Sequence, residues 1–268
     1  NLSTETWSTI GDQRVENYAL LAPDKATFVD LVTEGQPPAP SYFVYDAVLN
    51  RQDRPLLDEN APLRSLDLAE VDALVANGAV LLDGRTPEEF AHGHLSGSIN
   101  VGLDGRYAEF AGSVVPSDVD IVLVVEPGFE REGRNRLGRI GFDRVVGHLA
   151  DPLGVMAAHP DRTERASRLT VREFEQRRHE LEGVQIVDIR NPGEVALGLV
   201  PGAVTIPVGQ LPERLGELDA TAPTVVYCAG GYRSSVAASL LRNNGFVDVS
   251  DLLGGFGAWV EVTQMPAR

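Results

Sequence analysis

Cys228 is the chain's one sulfur nucleophile, and it opens the segment Cys228-Ala229-Gly230-Gly231-Tyr232-Arg233-Ser234. A cysteine attacks as its thiolate, so the question is what would ionise it. Small residues at 229–231 let main-chain N–H groups turn toward the sulfur. The run from Ser234 to Leu241 has helical composition, which brings the positive end of a helix to the same place. The run before it, Thr224-Val225-Val226-Tyr227, is β-branched and predicts a strand. The thiol then stands at the C-terminal edge of a parallel strand, where open α/β sheets bind ligands. A lone cysteine is otherwise a small core residue; the order strand, Cys, Gly-Gly, Arg, Ser, helix is what favours chemistry here. A single thiol excludes an internal disulfide and a thiolate metal cluster, and it predicts a reducing, cytoplasmic compartment.

The elements that hold this loop occur twice. Leu81-Leu82-Asp83-Gly84-Arg85-Thr86-Pro87-Glu88-Glu89 precedes Ile186-Val187-Asp188-Ile189-Arg190-Asn191-Pro192-Gly193-Glu194 by a constant offset that also takes Gly97 to Gly202 and Ile99 to Val204. We read two copies of one domain of roughly 100 residues. Asp67-x-x-Glu70 and Thr170-x-x-Glu173 predict capped helix starts. Strands are expected at 80–82, 121–125, 186–187 and 224–227, and a helix from Ser234 to Asn244 ending at Gly245. Continuous apolar strands between helices give the expected fold class, α/β, each copy a central parallel sheet flanked by helices. Residues 1–62 do not repeat. They predict a short helical extension, with a helix around Lys25–Thr33 and a Pro-rich stretch, Gln36-Pro37-Pro38-Ala39-Pro40. Asp151–Arg168, polar and holding Pro152 and Pro160, reads as a linker.

With 23 Lys+Arg against 39 Asp+Glu, the net charge is −16 and no basic footprint for nucleic acid exists. The longest aliphatic run, Ile121–Val125, falls far short of the ~20 residues that span a bilayer. No signal peptide is visible in residues 1–20. Asn1 opens the chain without Met, so a fragment or processed product is expected.

The Cys228–Arg233 loop, the Asp188-x-Arg190 pair, Pro201-Gly202-Ala203 and Leu253-Gly254-Gly255-Phe256-Gly257-Ala258-Trp259 together resemble rhodanese (sulfurtransferase) domains. The resemblance implies a catalytic rhodanese domain at 165–268 and a rhodanese-like domain at 63–155. It implies that Cys228 takes a sulfane sulfur from thiosulfate or a low-molecular-weight persulfide and hands it to a thiol, sulfite or cyanide. Ala229, Gly230, Gly231, Tyr232, Arg233, Ser234 and Arg190 would then surround the substrate. Arg190 and Arg233 each keep two readings, anion attraction or structural pairing. Leu199 departs from the His that the family often places before the Pro-Gly turn. Ala229 and Gly230 put no charge beside the thiol, which suits a persulfide donor. Cysteine phosphatases have five residues between Cys and Arg; four separate Cys228 from Arg233, a ring suited to one sulfur rather than a phosphate.

Copy one has no thiol or hydroxyl in Val124-Val125-Glu126-Pro127-Gly128-Phe129-Glu130-Arg131-Glu132, so it is expected to be non-catalytic. His92-Gly93-His94 lacks a third ligand pattern for a metal. Within residues 3–57, Ser8-Thr9-Ile10-Gly11-Asp12-Gln13-Arg14 and Pro40-x-Tyr42-Phe43 are similar to the tail of metallo-β-lactamase-fold persulfide dioxygenases. This implies a dioxygenase–rhodanese fusion, with 1–62 as that tail plus linker, iron held in a preceding domain, no cofactor in this chain, and a possible homodimer. The other function class is a non-enzymatic sulfur-carrier or protein-binding module.

Overall fold

The computed structural model describes residues 6–34, 39–40, 42–54 and 57–264. Part of the Pro-rich stretch, residues 36–38, lies outside them. Two compact units emerge, 1–38 and 39–268. The first holds α1 (Ile10–Glu16), started by a Thr9/Asp12 capping box, and α2 (Lys25–Thr33), capped by Asp24. Trp7, Ile10 and Val15 in it are exposed.

The second unit begins with α3 (Tyr42–Leu49), whose Tyr42 ring fills the space that Gly112 leaves by lacking a side chain. Copy one then runs β1 (Ser65–Leu66), α4 (Leu68–Ala76), β2 (Val80–Asp83), α5 (Pro87–His92), β3 (His94–Leu95), β4 (Ile99–Asn100), α6 (Tyr107–Val114), β5 (Ile121–Val124), α7 (Glu130–Gly138) and β6 (Val145–Leu149). A connecting stretch carries α8 (Pro152–Ala158) and β7 (Thr163–Glu164). Copy two runs β8 (Ser167–Leu169), α9 (Val171–Glu180), β9 (Gln185–Asp188), α10 (Pro192–Val195), β10 (Val204–Thr205), α11 (Leu211–Arg214), β11 (Thr224–Tyr227), α12 (Tyr232–Asn243), β12 (Val249–Leu252) and α13 (Gly255–Gln264).

The sheets have the same order, β1-β6-β5-β2-β4 and β8-β12-β11-β9-β10, and every pairing in them is parallel. This is the α/β architecture expected from the repeat. Both capping boxes form, Asp67 with Glu70 and Thr170 with Glu173.

Period-two alternation divides each central strand between two cores. In β5, Ile121 and Leu123 face one way and Val122 and Val124 the other. In β11, Val225 and Tyr227 enter a core with Phe174 and Leu252, whereas Val226 and then Cys228 enter the opposite one. That opposite core is shared: it joins Leu82, Leu123 and Phe110 of copy one to Val208, Leu211 and Leu241 of copy two. Each such side chain, fully withdrawn from water, stabilises the fold by about 1.5–3 kcal/mol. The same alternation turns Cys228 toward the copy-one side of its sheet.

The connecting stretch lies between the two copies, as the linker reading has it, but it is not bare loop. Pro152 does not break structure there; it occupies the first turn of α8, where its missing N–H costs nothing, and Asp151 caps that helix through the Gly154 N–H. Thr163–Glu164 pairs antiparallel with His94–Leu95, and Ser167–Leu169 becomes the edge strand of the second sheet. Among the described residues no helix is long and apolar enough to cross a membrane.

Candidate active site

Cys228 follows the last residue of β11, and the chain then turns through Ala229 and Gly230 to Gly231. Gly231 is the N-cap of α12 at φ 109°, a conformation that favours glycine. The helix therefore begins at Tyr232, two residues earlier than the sequence suggested. The turn aims the Gly231 N–H at the sulfur, with N to Sγ 3.0 Å. The Ser234 hydroxyl, 3.7 Å from Sγ, donates to the Gly231 carbonyl. The sequence led us to expect a ring of main-chain donors. Around the resting thiol that ring reduces to the Gly231 amide, the other small residues forming an open rim. Cys228 itself is 1% exposed, while Ala229 and Gly230 are exposed. A persulfide would place its outer sulfur about 2.05 Å beyond Sγ.

The glycine-rich first turn of α13 supports the loop from behind. The Phe256 N–H donates to the Cys228 carbonyl at 2.7 Å and the Gly257 N–H to that of Ala229 at 3.2 Å. Gly255, at φ 57°, lies so close that a side chain would come within 2.3 Å of the Cys228 oxygen.

Arg190 is buried and spends its donors inside the protein. Nε lies 2.9 Å from Asp188 Oδ1, Nη2 donates to the other carboxylate oxygen and to Gly198 O at 2.7 Å, and the guanidinium sits 3.9 Å from the Phe256 ring centre. Burial works against its charge, but the hydrogen bond and charge of Asp188 outweigh that and hold Arg190 firmly protonated. Tyr227 completes the cluster, donating to Asp188 Oδ2 at 2.7 Å and accepting the Val200 N–H at 3.1 Å. Of the two readings of Arg190, these contacts fit structural pairing. Arg233 makes a two-pronged pair with Glu194, 2.7 Å on each prong. This hydrogen bonding raises the Arg233 pKa and lowers that of Glu194; the charge of Cys228 acts on Arg233 in the same sense.

Sequence reasoning missed three residues here. Glu194 entered the sequence reading only as the end of the repeated segment. Arg168, whose Nη2 would lie 3.6 Å from a side chain at Gly231, pairs with Asp251 at 3.1 Å. Asp251 is raised by burial and lies 3.4 Å from the Ser234 hydroxyl. Arg168 and Asp251 are 83 positions apart, so no local pattern links them.

In copy one, strand register shows which residue stands at the position of the thiol. Val124 pairs with Asp83 as Tyr227 pairs with Asp188, so Val125 occupies the position of Cys228. The Asp83–Arg85 pair keeps the geometry of its counterpart, including donation to a loop carbonyl, Gly93 O at 2.9 Å. A cavity of about 360 Å³ remains, lined among others by Arg85, Glu89, Glu126 and Phe129. Glu89 and Glu126 share a hydrogen bond there. Burial opposes the charge on Glu89, but bonds from Thr86 and Glu126 hold its pKa down, and Glu126 is raised by the Glu89 bond. His92 and His94 turn their Nδ1 atoms onto carbonyls of α5, and His94 stacks 3.7 Å from Phe90.

The family model for the Rhodanese-like domain matches residues 67–149 and again 170–262. A sulfurtransferase of Allochromatium vinosum is 39% identical over 84 residues, 31% of this chain and 78% of that protein. The thiosulfate sulfurtransferase GlpE of Shewanella oneidensis is 42% identical over 82 residues, 31% of this chain and 81% of its own length. A solved rhodanese-like domain protein from Staphylococcus aureus is 34% identical, with 35% of this chain and 90% of that one covered at a TM-score of 0.33. Two matches to one family, laid over two sheets of identical strand order, settle the kinship: the chain belongs to the rhodanese-like domain family, and carries that domain twice.

Proposed function

We propose that this chain is a sulfurtransferase in which Cys228 carries the sulfur, in keeping with its family and with the sulfurtransferases it resembles. The Cys228 thiolate attacks the outer sulfur of a donor. With thiosulfate the S–S bond breaks, sulfite leaves with the electron pair, and Cys228–S–S⁻ remains. With a low-molecular-weight persulfide the leaving group is a thiolate. An acceptor thiol, sulfite or cyanide then attacks the outer sulfur and returns the Cys228 thiolate. No net oxidation occurs. The observation that carries this reading is the Gly231 N–H held 3.0 Å from Sγ at the head of a 12-residue helix. Residues 229–234 cradle the outer sulfur, and Arg190 braces the strand end beneath.

Charge pairing favours a persulfide over thiosulfate. Arg190, Arg233 and Arg168 are each matched by a carboxylate, so none adds an uncompensated charge to draw in a dianion. Turnover with thiosulfate and with glutathione persulfide, measured side by side, tests this; a strong preference for thiosulfate counts against it.

The finer context is part of the same proposal. Residues 1–62 would be the tail and linker of a metallo-β-lactamase-fold persulfide dioxygenase with iron in a preceding domain, 63–155 the non-catalytic copy and 165–268 the catalytic one. The fusion would act in persulfide detoxification in the cytoplasm, with small-molecule donors and acceptors as partners and a homodimer as its assembly. The exposed Trp7 (79%), Ile10 and Val15 support a further domain, which would cover them. The reading frame upstream of Asn1 tests it.

The near-complete burial of Cys228 favours a second reading, a sulfur carrier or binding module without turnover. Incubation with donor, mass spectrometry for one added sulfur on Cys228, and cyanide release as thiocyanate separate the two. Loading and release, both lost in Cys228→Ala, support the enzyme; no added mass and no thiocyanate support the binding module.

A further inference from the structure

We propose that Asn100 and the Gly102–Gly105 turn of copy one are positioning elements for the Cys228 loop, so that the thiol-less copy forms part of the sulfur-transfer site. The inference rests on the sulfurtransferase reading of Cys228.

One face of α12 is fastened to copy one at its first two turns. Tyr232 begins the helix. Its hydroxyl donates to Gly102 O at 2.5 Å, and its ring occupies the space beside two glycines. A side chain at Gly105 would come within 2.4 Å of that ring, and one at Gly102 within 3.4 Å. Burial, foremost, raises the Tyr232 pKa, so the hydroxyl stays a donor. Three residues on, Ser235 donates to Asn100 Oδ1 at 2.6 Å. Four further on, the Ser239 hydroxyl accepts the Asn100 N–H at 2.9 Å. Positions 232, 235 and 239 share a helix face.

Asn100 is fully buried and has no freedom to turn. Its Nδ2 donates to Asp83 O at 3.1 Å and Arg85 O at 2.9 Å, at the strand end where copy one keeps its Asp–Arg pair. Two carbonyl partners fix which end of the amide is nitrogen. A continuous line of hydrogen bonds thus runs from that strand end through Asn100 to Ser235. The residue before Tyr232 is Gly231, whose N–H meets the sulfur, and Ser234 beside Ser235 packs against Sγ. The amide on the thiol sits one residue from the anchor, so a shift of the helix start is a shift of that amide.

Gly105→Ala tests this from copy one. Gly105 is not in the left-handed region, so the added methyl meets no positive-φ strain, and the three atoms nearest to it all belong to the Tyr232 ring. Tyr232→Phe keeps the ring and removes only the bond to Gly102, and guards against a Gly105 variant that fails to fold. The readouts are sulfur loading of Cys228 from glutathione persulfide and the pH profile of Cys228 alkylation by iodoacetamide. We expect both variants to fold, to load at least about tenfold more slowly, equivalent to 1.4 kcal/mol of transition-state stabilisation, and to alkylate with a midpoint moved to higher pH. Gly105→Ala combined with Tyr232→Ser, which relieves the clash, should load no more slowly than Tyr232→Ser alone. Wild-type loading rate and alkylation midpoint in folded Gly105→Ala or Tyr232→Phe would overturn the proposal. If the wild-type protein accepts no sulfur, the sulfurtransferase reading fails, and the alkylation profiles still decide whether copy one positions the loop.

Discussion

Arg190→Gln separates bracing from substrate binding. The substitution removes the cation from Asp188, which is 0% exposed, and leaves its carboxylate with the Tyr227 hydroxyl at 2.7 Å and the residue-190 N–H at 3.0 Å. It also removes the donor to Gly198 O and the guanidinium against Phe256. Breaking one side of a buried ion pair costs about 3–5 kcal/mol, because the remaining charge is uncompensated. The two copies share a core and should melt as one body. For a body of that size each kcal/mol shifts the melting midpoint by about 2–4 °C, so a fall of roughly 6–20 °C is expected. Differential scanning calorimetry reads the midpoint, and thiosulfate kinetics well below it read KM. Asp188→Asn/Arg190→Gln should recover part of the loss, since no lone charge is then buried. A midpoint within about 3 °C of wild type, accompanied by a tenfold rise in KM, would refute the reasoning and return Arg190 to the substrate.

Three further outcomes follow from the same geometry. Tyr227→Phe leaves Asp188 and the Val200 N–H each short of a partner and should cost about 1–3 kcal/mol, read from urea unfolding. Gly255→Ala drives a methyl into the Cys228 carbonyl at a positive φ, so it should destabilise by about 2 kcal/mol or more and slow sulfur loading; unchanged loading would show that the glycine turn does not support the loop. Glu194 has a folded pKa below its ordinary value through its bond to Arg233, so its contribution is complete above about pH 4.3 and is lost as pH falls through the folded value. The pair is part-exposed, so Glu194→Gln should lose no more than about 1 kcal/mol at neutral pH, and the difference from wild type should vanish in acid. A difference that persists at low pH would exclude the carboxylate as its source.

What was legible in the sequence was local or repeated. The offset between copies fixed the architecture, because two sheets with one strand order need one pattern of strands. The capping boxes at Asp67 and Thr170 were legible because both partners lie within one turn. The Cys228 loop was legible as a strand-to-helix turn, but its helix start was not: Gly231 takes up the left-handed cap, and that freed Tyr232 to begin the helix. The stretch after Asp151 was legible as the link between copies but its helix was not, because a proline before a helix and a proline in a loop look alike until the cap is seen. Arg168–Asp251 and Arg233–Glu194 join residues 83 and 39 positions apart, and the anchoring of Tyr232 on copy one spans 130, distances at which no periodicity speaks.

The duplication separates what holds this fold from what would do its chemistry. Copy one keeps Asp83 and Arg85 in the geometry of Asp188 and Arg190, down to the donation to a loop carbonyl eight residues on. It has Val125 at the position of the thiol and Glu130 at that of Arg233, counting five residues from each. Its Glu89 stands where Glu194 stands, but bonds Thr86 and Glu126 rather than an arginine. Had the Asp–Arg pair served mainly to draw substrate, nothing in a copy without a nucleophile would require it. Its presence beside Val125 is what a brace for the strand end predicts, and Asn100, bonded to the carbonyls of both Asp83 and Arg85, passes that rigidity to the helix that faces Cys228.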